Sequence, residues 1–266
     1  MGNLLTAFVF TLIAGLSTGV GSIIAFFSKK TNTKFLSYTL GLSAGVMIFI
    51  SLVELYPDAQ KALSLIYTQR TASVITAVSF FCGMFVIALI DRFLPEEKNP
   101  HETKSVEDIK ENVNEKNHLM RMGIFTALAI AVHNFPEGIA TFVSATQSPL
   151  LALPVVLAIA IHNIPEGIAV SVPVYYATGS RKKAFIYSFV SGLSEPLGAI
   201  VAYLILMPFY SETLNSIMFS AVAGIMVYIS VDELLPSARE YGHHHLSIYG
   251  LITGMIIMAI SFIIFA

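Results

Sequence analysis

The chain has 266 residues, of which 55% are hydrophobic and only 12% are charged, and its mean hydropathy is +0.75. These values exclude an ordinary soluble globular domain and indicate an integral membrane protein. The net charge of -2, without a long basic tract, argues against a nucleic-acid partner, and the single cysteine, Cys82, excludes a disulfide framework.

Eight apolar segments follow one another along the chain, each close to the length of about 20 residues that crosses a bilayer as a helix. They cover approximately residues 3–27, 35–56, 72–94, 120–145, 151–176, 183–207, 214–235 and 247–265. We therefore expect an all-α integral membrane protein with eight transmembrane helices, which form a single transmembrane domain over residues 1–266.

The distribution of basic residues predicts the orientation of these spans. Of the 15 Lys and Arg residues, all but Lys61 and Arg70 lie at the connections that follow odd-numbered spans. Cytoplasmic loops carry an excess of Lys and Arg, so these connections are expected in the cytoplasm and both termini outside it. The longest connection, about 91–119, is hydrophilic and is expected to be disordered or loosely helical. We expect a multi-pass protein of the cell inner (plasma) membrane.

Internal repeats relate the spans in pairs. Ala44–Ala59 of span two aligns with Ala223–Ala238 of span seven, with 9 of 16 positions identical. His133–Ala140 of span four aligns with His162–Ala169 of span five, and weaker matches join span one to six and span three to eight. Each pair joins an odd span to an even one, so the partners cross the membrane in opposite directions. This 3+2+3 inverted-repeat arrangement is typical of secondary transporters, which bind substrate near the midplane.

The central pair of spans carries the candidate metal ligands. His133 and Glu137 are four residues apart, as are His162 and Glu166, so each pair can project from one helix face. Glu195 adds a carboxylate in the middle of span six. A charge at the bilayer centre costs about 2.5–3.5 kcal/mol. No Lys or Arg lies in the middle of any span, so a divalent cation is the expected counter-charge.

Prolines next to these residues supply further oxygen ligands. Pro136, Pro165 and Pro196 lack an N–H and therefore free the carbonyl four residues earlier. Imidazole nitrogen together with carboxylate and amide oxygen, without thiolate, suits Zn, Fe, Mn and Co rather than Cu(I). The ligand types do not distinguish among these metals.

Other polar residues have two interpretations. A single intramembrane His is more often a hydrogen-bonding residue between helices, but two His/Glu pairs in antiparallel helices favour a metal site. Three acids lie near span ends: Glu54, Asp232 and Glu233. They are interpreted either as solvated acids at the membrane interface or as residues for metal access and release. His243–His245 form either a metal-binding cluster or a solvated loop, and we expect Met47 and Met226 to be packing residues.

Four motifs carry a resemblance to a known family: HNFPEG in span four, HNIPEG in span five, SGLSEP in span six and DELLP in span seven. They resemble the ZIP (Zrt/Irt-like) divalent-metal transporters, in particular a bacterial branch of that family. The resemblance covers essentially the whole chain. It implies eight helices in the 3+2+3 arrangement, extracytoplasmic termini, and import of zinc and other divalent metals (Fe, Mn, Co, Cd) as substrates rather than cofactors.

The resemblance also implies two adjacent metal sites. The first would use His133, Glu137, His162 and Glu166, and the second would use Asn134, Glu137, Asn163, Glu166 and Glu195. The two central glutamates would then bridge both ions. Some family members carry acidic or other polar residues where this chain has His162 and Asn163, so its second site has less negative charge than that of a member with Asp.

Two other classes of membrane protein also place His and Glu in a membrane helix. An intramembrane metallopeptidase would normally show H-E-x-x-H, but Asn follows each central His here, so we do not expect an enzyme. A metal-selective channel or a non-transporting metal receptor shares the ligand chemistry and remains the alternative. The expected partners are divalent metal ions and the lipid bilayer, and the sequence leaves a homodimer open.

Overall fold

The computed structural model describes residues 2–27, 33–92, 113–209, 211–240 and 242–265, and every regular element within them is a helix. Most of the hydrophilic connection expected at about 91–119 lies outside the described residues. Its last part is helical, because the helix that contains span four already begins at Val113.

Eleven α-helices are described in these ranges. They are α1 (Gly2–Phe27), α2 (Thr33–Ile50), α3 (Tyr56–Ser64), α4 (Gln69–Arg92), α5 (Val113–Gln147), α6 (Pro149–Thr178), α7 (Arg181–Gly192), α8 (Ser194–Val201), α9 (Glu212–Ile229), α10 (Leu235–Glu240) and α11 (His244–Phe265). Some of them follow one another without a break as segments of one longer helix. Short π-helical turns join α2 to α3 and α9 to α10, and a third π turn follows α8.

Seven stretches among the described residues are long and apolar enough to cross a membrane. They match the expected spans one to three and five to eight, which confirms the helical nature of those segments. The expected fourth span lies within α5, a helix of 35 residues with Pro136 in its interior, but is not among the seven. The chain is therefore a multi-pass membrane protein, and its described part is all-helical.

The two copies of the α2/α9 sequence repeat share an unexpected local structure. Each leaves the α-helical path in a π turn, at Ser51–Leu55 in the first copy and Ser230–Leu234 in the second. Pro57 and Pro236 follow these turns, each at the second residue of the next helix. A proline ring clashes with the carbonyl four residues earlier in a regular α-helix, and the wider π turn relieves that clash.

The serine that opens each π turn is bonded in the same way. The hydroxyl of Ser51 donates to the Met47 carbonyl oxygen and that of Ser230 to the Met226 carbonyl oxygen, both at 2.7 Å. Such back-bonding within a helix satisfies the hydroxyl where water is absent and bends helices slightly. The repeat in sequence is thus also a repeat in backbone and side-chain geometry.

Glycines bring the outer helices into contact in two equivalent ways, since α4 packs on α9 and α11 packs on α2. A Cβ atom added at Gly83 would collide with the Ala221 carbonyl oxygen, and one added at Gly254 with the Leu42 carbonyl oxygen. Gly83 aligns with Gly254, and extending the repeat register aligns Leu42 with Ala221. The same contact therefore occurs twice, with the helices exchanged.

The inner helices show the same exchange of partners. Gly15 of α1 lies against the Gly192 carbonyl of α7, and Gly192 lies against the Gly15 carbonyl. α5 and α6 pack on each other and on α1 and α7, so their polar motifs lie inside the bundle.

α4, by contrast, exposes a row of large apolar side chains, as expected of a helix that faces lipid. They are Val74, Val78, Phe81, Phe85 and Leu89.

Candidate metal site

The polar residues predicted as ligands are enclosed by this packing. Those with described side chains form what is here named the central site: Asn134 and Glu137 of α5, His162, Asn163 and Glu166 of α6, and Glu195 of α8. None of them is more than 1% exposed. His133 lies in α5, but its side chain is outside the described part of the structure.

Two glycines of the PEG motifs determine how closely the neighbouring helices approach. Gly138 lies against the backbone of Glu195, and Gly167 lies against the Thr18 carbonyl oxygen of α1. Any side chain at Gly138 would displace the first turn of α8, which carries Glu195. The small residue thus permits the third carboxylate to lie beside α5.

Hydrogen bonds connect the central residues across helices. His162 Nε2 lies 3.2 Å from Glu137 Oε2, so this contact joins α6 to α5. The Asn163 Nδ2 group donates to the Ala14 carbonyl oxygen of α1 at 3.0 Å and also to Glu195 Oε1. The sequence predicted pairs four residues apart within one helix, whereas these contacts join different helices.

Several buried polar atoms of the central site have no hydrogen-bond partner among the described residues. They are both amide atoms of Asn134, Glu137 Oε1, Asn163 Oδ1 and Glu195 Oε2. A buried polar atom without a partner costs about 1–3 kcal/mol, and an ionised one costs more. Four of the five are oxygens, the ligand atoms that a divalent cation accepts together with imidazole nitrogen.

The electrostatics of the central site are unbalanced. Glu195 is close enough to Glu137, and more weakly to Glu166, for their negative charges to repel. Every Lys or Arg whose side chain the structure describes is exposed. No described Lys or Arg therefore neutralises this site, and a bound metal cation would supply the missing charge.

The central donors are arranged in pairs in this structure. Among the described side chains, no three His, Cys, Asp or Glu residues surround a common position suited to a metal ion. Glu137 and His162 form one close pair, and Asn163 and Glu195 form the other. These pairs divide the site into one part with an imidazole nitrogen and one with amide and carboxylate donors.

The residues predicted for metal access and release lie in the two π turns. Glu54 is half-buried and lines a cavity of about 480 Å³, here named the Glu54 cavity, between α3, α9 and the junction of α5 with α6. Glu233, at the equivalent position, is buried, whereas Asp232 is exposed. Asp58 and Asn215 also line this cavity and were not among the predicted residues. The spacing of Asp58, one helical turn after Glu54, is a signal that could have indicated it.

The remaining candidates have structural surroundings. Met47 and Met226 are buried in the main hydrophobic core, which confirms that they are packing residues. His243 is half-buried and its carbonyl oxygen accepts a hydrogen bond from Ser37, while the His245 ring stacks on Tyr249. The described residues contain no metal-binding group that includes this cluster.

Comparison with known proteins agrees with this chemistry. Residues 93–261 match the family model described as ZIP zinc transporter. The chain is 60% identical to zinc transporter ZupT of Lysinibacillus sphaericus, with 99% of this chain and 98% of the relative covered. It is 56% identical to zinc transporter ZupT of Clostridium perfringens, with 100% of this chain and 98% of the relative covered. It is 59% identical to zinc transporter ZupT of Oceanobacillus iheyensis, with 100% of both chains covered.

The family match covers more than half of the chain and includes the residues of the HNFPEG, HNIPEG and SGLSEP motifs. The three relatives align over 98–100% of their own length. The family consists of transporters rather than enzymes. The chain belongs to the ZIP zinc transporter family.

Proposed function

We propose that this protein imports zinc into the cytoplasm, and with it other divalent ions such as Fe²⁺, Mn²⁺, Co²⁺ and Cd²⁺, by binding them at the central site. The observation that carries the proposal is the set of three carboxylates, at most 1% exposed, with no Lys or Arg described beside them. A divalent cation offsets two of these charges and accepts the unbonded oxygens as ligands. The ZupT relatives, named as zinc transporters, support zinc as the principal substrate.

The central site has the donors for two adjacent ions. His133 and His162, with Glu137 and Glu166, would hold one ion; Asn134, Asn163 and Glu195, with the same two glutamates, would hold the other. Support comes from Glu137, which contacts His162 through one oxygen while its second oxygen has no described partner. A carboxylate in that situation is suited to bridge two cations.

Alternating access follows from the proposed inverted 3+2+3 arrangement of eight spans, in which α5 supplies the fourth span. The exchanged glycine contacts support this arrangement: Gly21 lies against Ile164 of α6, and Gly198 lies against Phe135 of α5. A repeat of this kind allows one helix group to rock against another around a fixed site. We place both termini outside the cytoplasm and the protein in the plasma membrane, on the basis of the Lys and Arg distribution.

A carrier accounts for the packing better than an open channel does. The central residues are enclosed by α1, α7 and α8 through glycine contacts that leave no space for a side chain. Ions cannot pass through such a closely packed region unless helices move relative to each other. Saturable flux well below channel rates is therefore expected.

The test is uptake of radioactive zinc into proteoliposomes that contain the purified protein. The unsubstituted protein should give saturable uptake, and Glu166→Ala should abolish it at matched protein content. Lys183→Ala serves as the control, because it removes an exposed charge in the first turn of α7, outside the central residues and outside the cavity that Glu54 lines. Absence of uptake by the unsubstituted protein, or normal uptake by Glu166→Ala, would contradict the proposal.

A further inference from the structure

The Glu54 cavity has a chemical composition different from that of the central site. Its polar lining includes the carboxylates of Glu54, Asp58 and Glu212 and the ammonium group of Lys61. All the carboxylate-bearing residues here are at least partly exposed. None of the described lining residues carries an imidazole or thiol group, so they offer a cation oxygen ligands.

Asn215 is the unusual member of this lining. It lies in the first turns of α9, is 7% exposed and lines the cavity, yet its Oδ1 atom has no hydrogen-bond partner in the described part of the chain. An amide oxygen can accept two hydrogen bonds or coordinate a hard cation. A buried acceptor that lines an acidic cavity therefore indicates a ligand with positive charge or with donor hydrogens.

The charges in the cavity are close enough to influence one another. Glu54 and Asp58 repel each other, and Lys61 attracts Asp58. Three carboxylates face one ammonium group, so the cavity carries net negative charge. A cation entering it would relieve the repulsion between Glu54 and Asp58 and would compete with Lys61 for Asp58.

The size of the cavity indicates the state of hydration of that cation. A water molecule occupies about 30 Å³ in the liquid, so an ion with six first-shell waters needs roughly 200 Å³. The cavity volume of about 480 Å³ accommodates such an ion together with further water. The described acids do not surround a common metal position, so they are not arranged to replace most of its water.

We propose that the Glu54 cavity is a second, weaker cation site, in which Glu54, Asp58 and Asn215 hold a divalent ion that keeps most of its water, while Lys61 limits the affinity. This inference rests on the proposed function, because it places the site on the route from the extracytoplasmic side to the central site. The oxygen-only lining does not favour zinc over manganese. Selection for nitrogen-preferring metals therefore occurs afterwards, at the central site.

The test measures equilibrium binding of radioactive manganese to purified protein in detergent at low ionic strength. The background is Glu137→Ala/Glu166→Ala, which removes both central bridging carboxylates. We expect weak saturable binding, with affinity lowered about tenfold by Asp58→Asn, since one charge close to a divalent ion is lost. Asn215→Ala should also lower the affinity, whereas Asn215→Asp and Lys61→Gln should raise it about threefold.

The control is Asn3→Ala, which alters an exposed asparagine near Thr146, outside the cavity lining, and should leave binding unchanged. Changes in opposite directions separate loss of ligands from damage to the fold, because a misfolded variant would not bind more tightly. Absence of saturable binding in the background protein, or equal binding by all the cavity variants, would overturn the proposal. The assay needs no transport, so a failure of zinc uptake by the unsubstituted protein contradicts the proposed function separately.

Discussion

The central site and the Glu54 cavity both gather carboxylates, but they differ in burial and in the atoms beside the acids. The central glutamates are at most 1% exposed and have imidazole and amide groups as neighbours. In the Glu54 cavity, Glu54 is half-buried, Asp58 is exposed, and an ammonium group is present.

This difference separates two functions of negative charge in a membrane protein. A buried carboxylate in a medium of low dielectric constant interacts strongly with a cation, but only if the cation gives up its water for protein ligands. A partly exposed carboxylate attracts a hydrated ion more weakly and is screened by salt. Substitutions at the two places should therefore differ in size and in the kinetic constant that they change.

The largest effect is expected for Glu137→Gln. The amide keeps the volume of the side chain and can still hydrogen-bond to His162, but it removes one of three buried charges. Substitution of a residue that merely supports a metal ligand commonly lowers metal affinity or activity 10–100-fold. Loss of a bridging ligand should therefore reduce saturable zinc uptake at least about a hundredfold. The measurement is proteoliposome uptake at matched abundance, and Glu212→Gln, at an exposed acid of the Glu54 cavity, should retain most of the rate. Comparable rates for both variants would remove the distinction between buried and exposed acids.

Gly138→Ala should have the next largest effect, on the stability of the central region. The added Cβ atom would collide with the backbone of Glu195, and overpacking of this kind costs about 1–3 kcal/mol or more. The matched control is Gly19→Ala, whose Cβ would meet only the Phe189 and Phe185 rings, at 3.3 and 3.8 Å. Thermal unfolding in detergent should show a lower Tm for Gly138→Ala than for Gly19→Ala. Equal Tm values would mean that the contact of α5 with α8 is not close in solution.

Thiol labelling tests the accessibility of the two π turns. Glu54→Cys and Glu233→Cys are introduced separately in a Cys82→Ser background, since Cys82 is the only native cysteine and is exposed. An impermeant reagent applied to the extracytoplasmic face of cells should label position 54, which lines a cavity, and not position 233, which is buried. Labelling at 233 alone would reverse the proposed orientation.

The smallest effect is expected for Asp58→Asn in transport assays. Removal of an exposed carboxylate that attracts a hydrated ion should raise KM for zinc about threefold and leave kcat unchanged. The effect should become smaller as salt is added. Initial rates at low and high ionic strength check this expectation. A fall in kcat at unchanged KM would instead assign Asp58 to the same class as the central glutamates.

Sequence patterns predicted much of the helical fold but not its local distortions. The approximate positions of the spans were predictable because the bilayer requires long apolar helices, and seven of the eight expected spans match described helices that are long and apolar enough to cross a membrane. The π turns at Ser51 and Ser230 were not predicted, although both precede a proline. A proline indicates that the regular hydrogen bonding must change, but neighbouring helices decide whether a kink or a wider turn results.

The sequence by itself determined that the chain is a helical membrane protein of the ZIP family, because apolar length, the repeated motifs and uncompensated intramembrane acids are all local features of the chain. Tertiary structure alone decided which donors meet: His162 with Glu137 of the other helix, and Asn163 with both Ala14 and Glu195. It also brought Asn215 and Asp58 into the lining of one cavity, although they lie more than 150 residues apart in sequence. Such contacts depend on the distance and rotation between packed helices, which glycine contacts determine in three dimensions and which spacing within one helix does not encode.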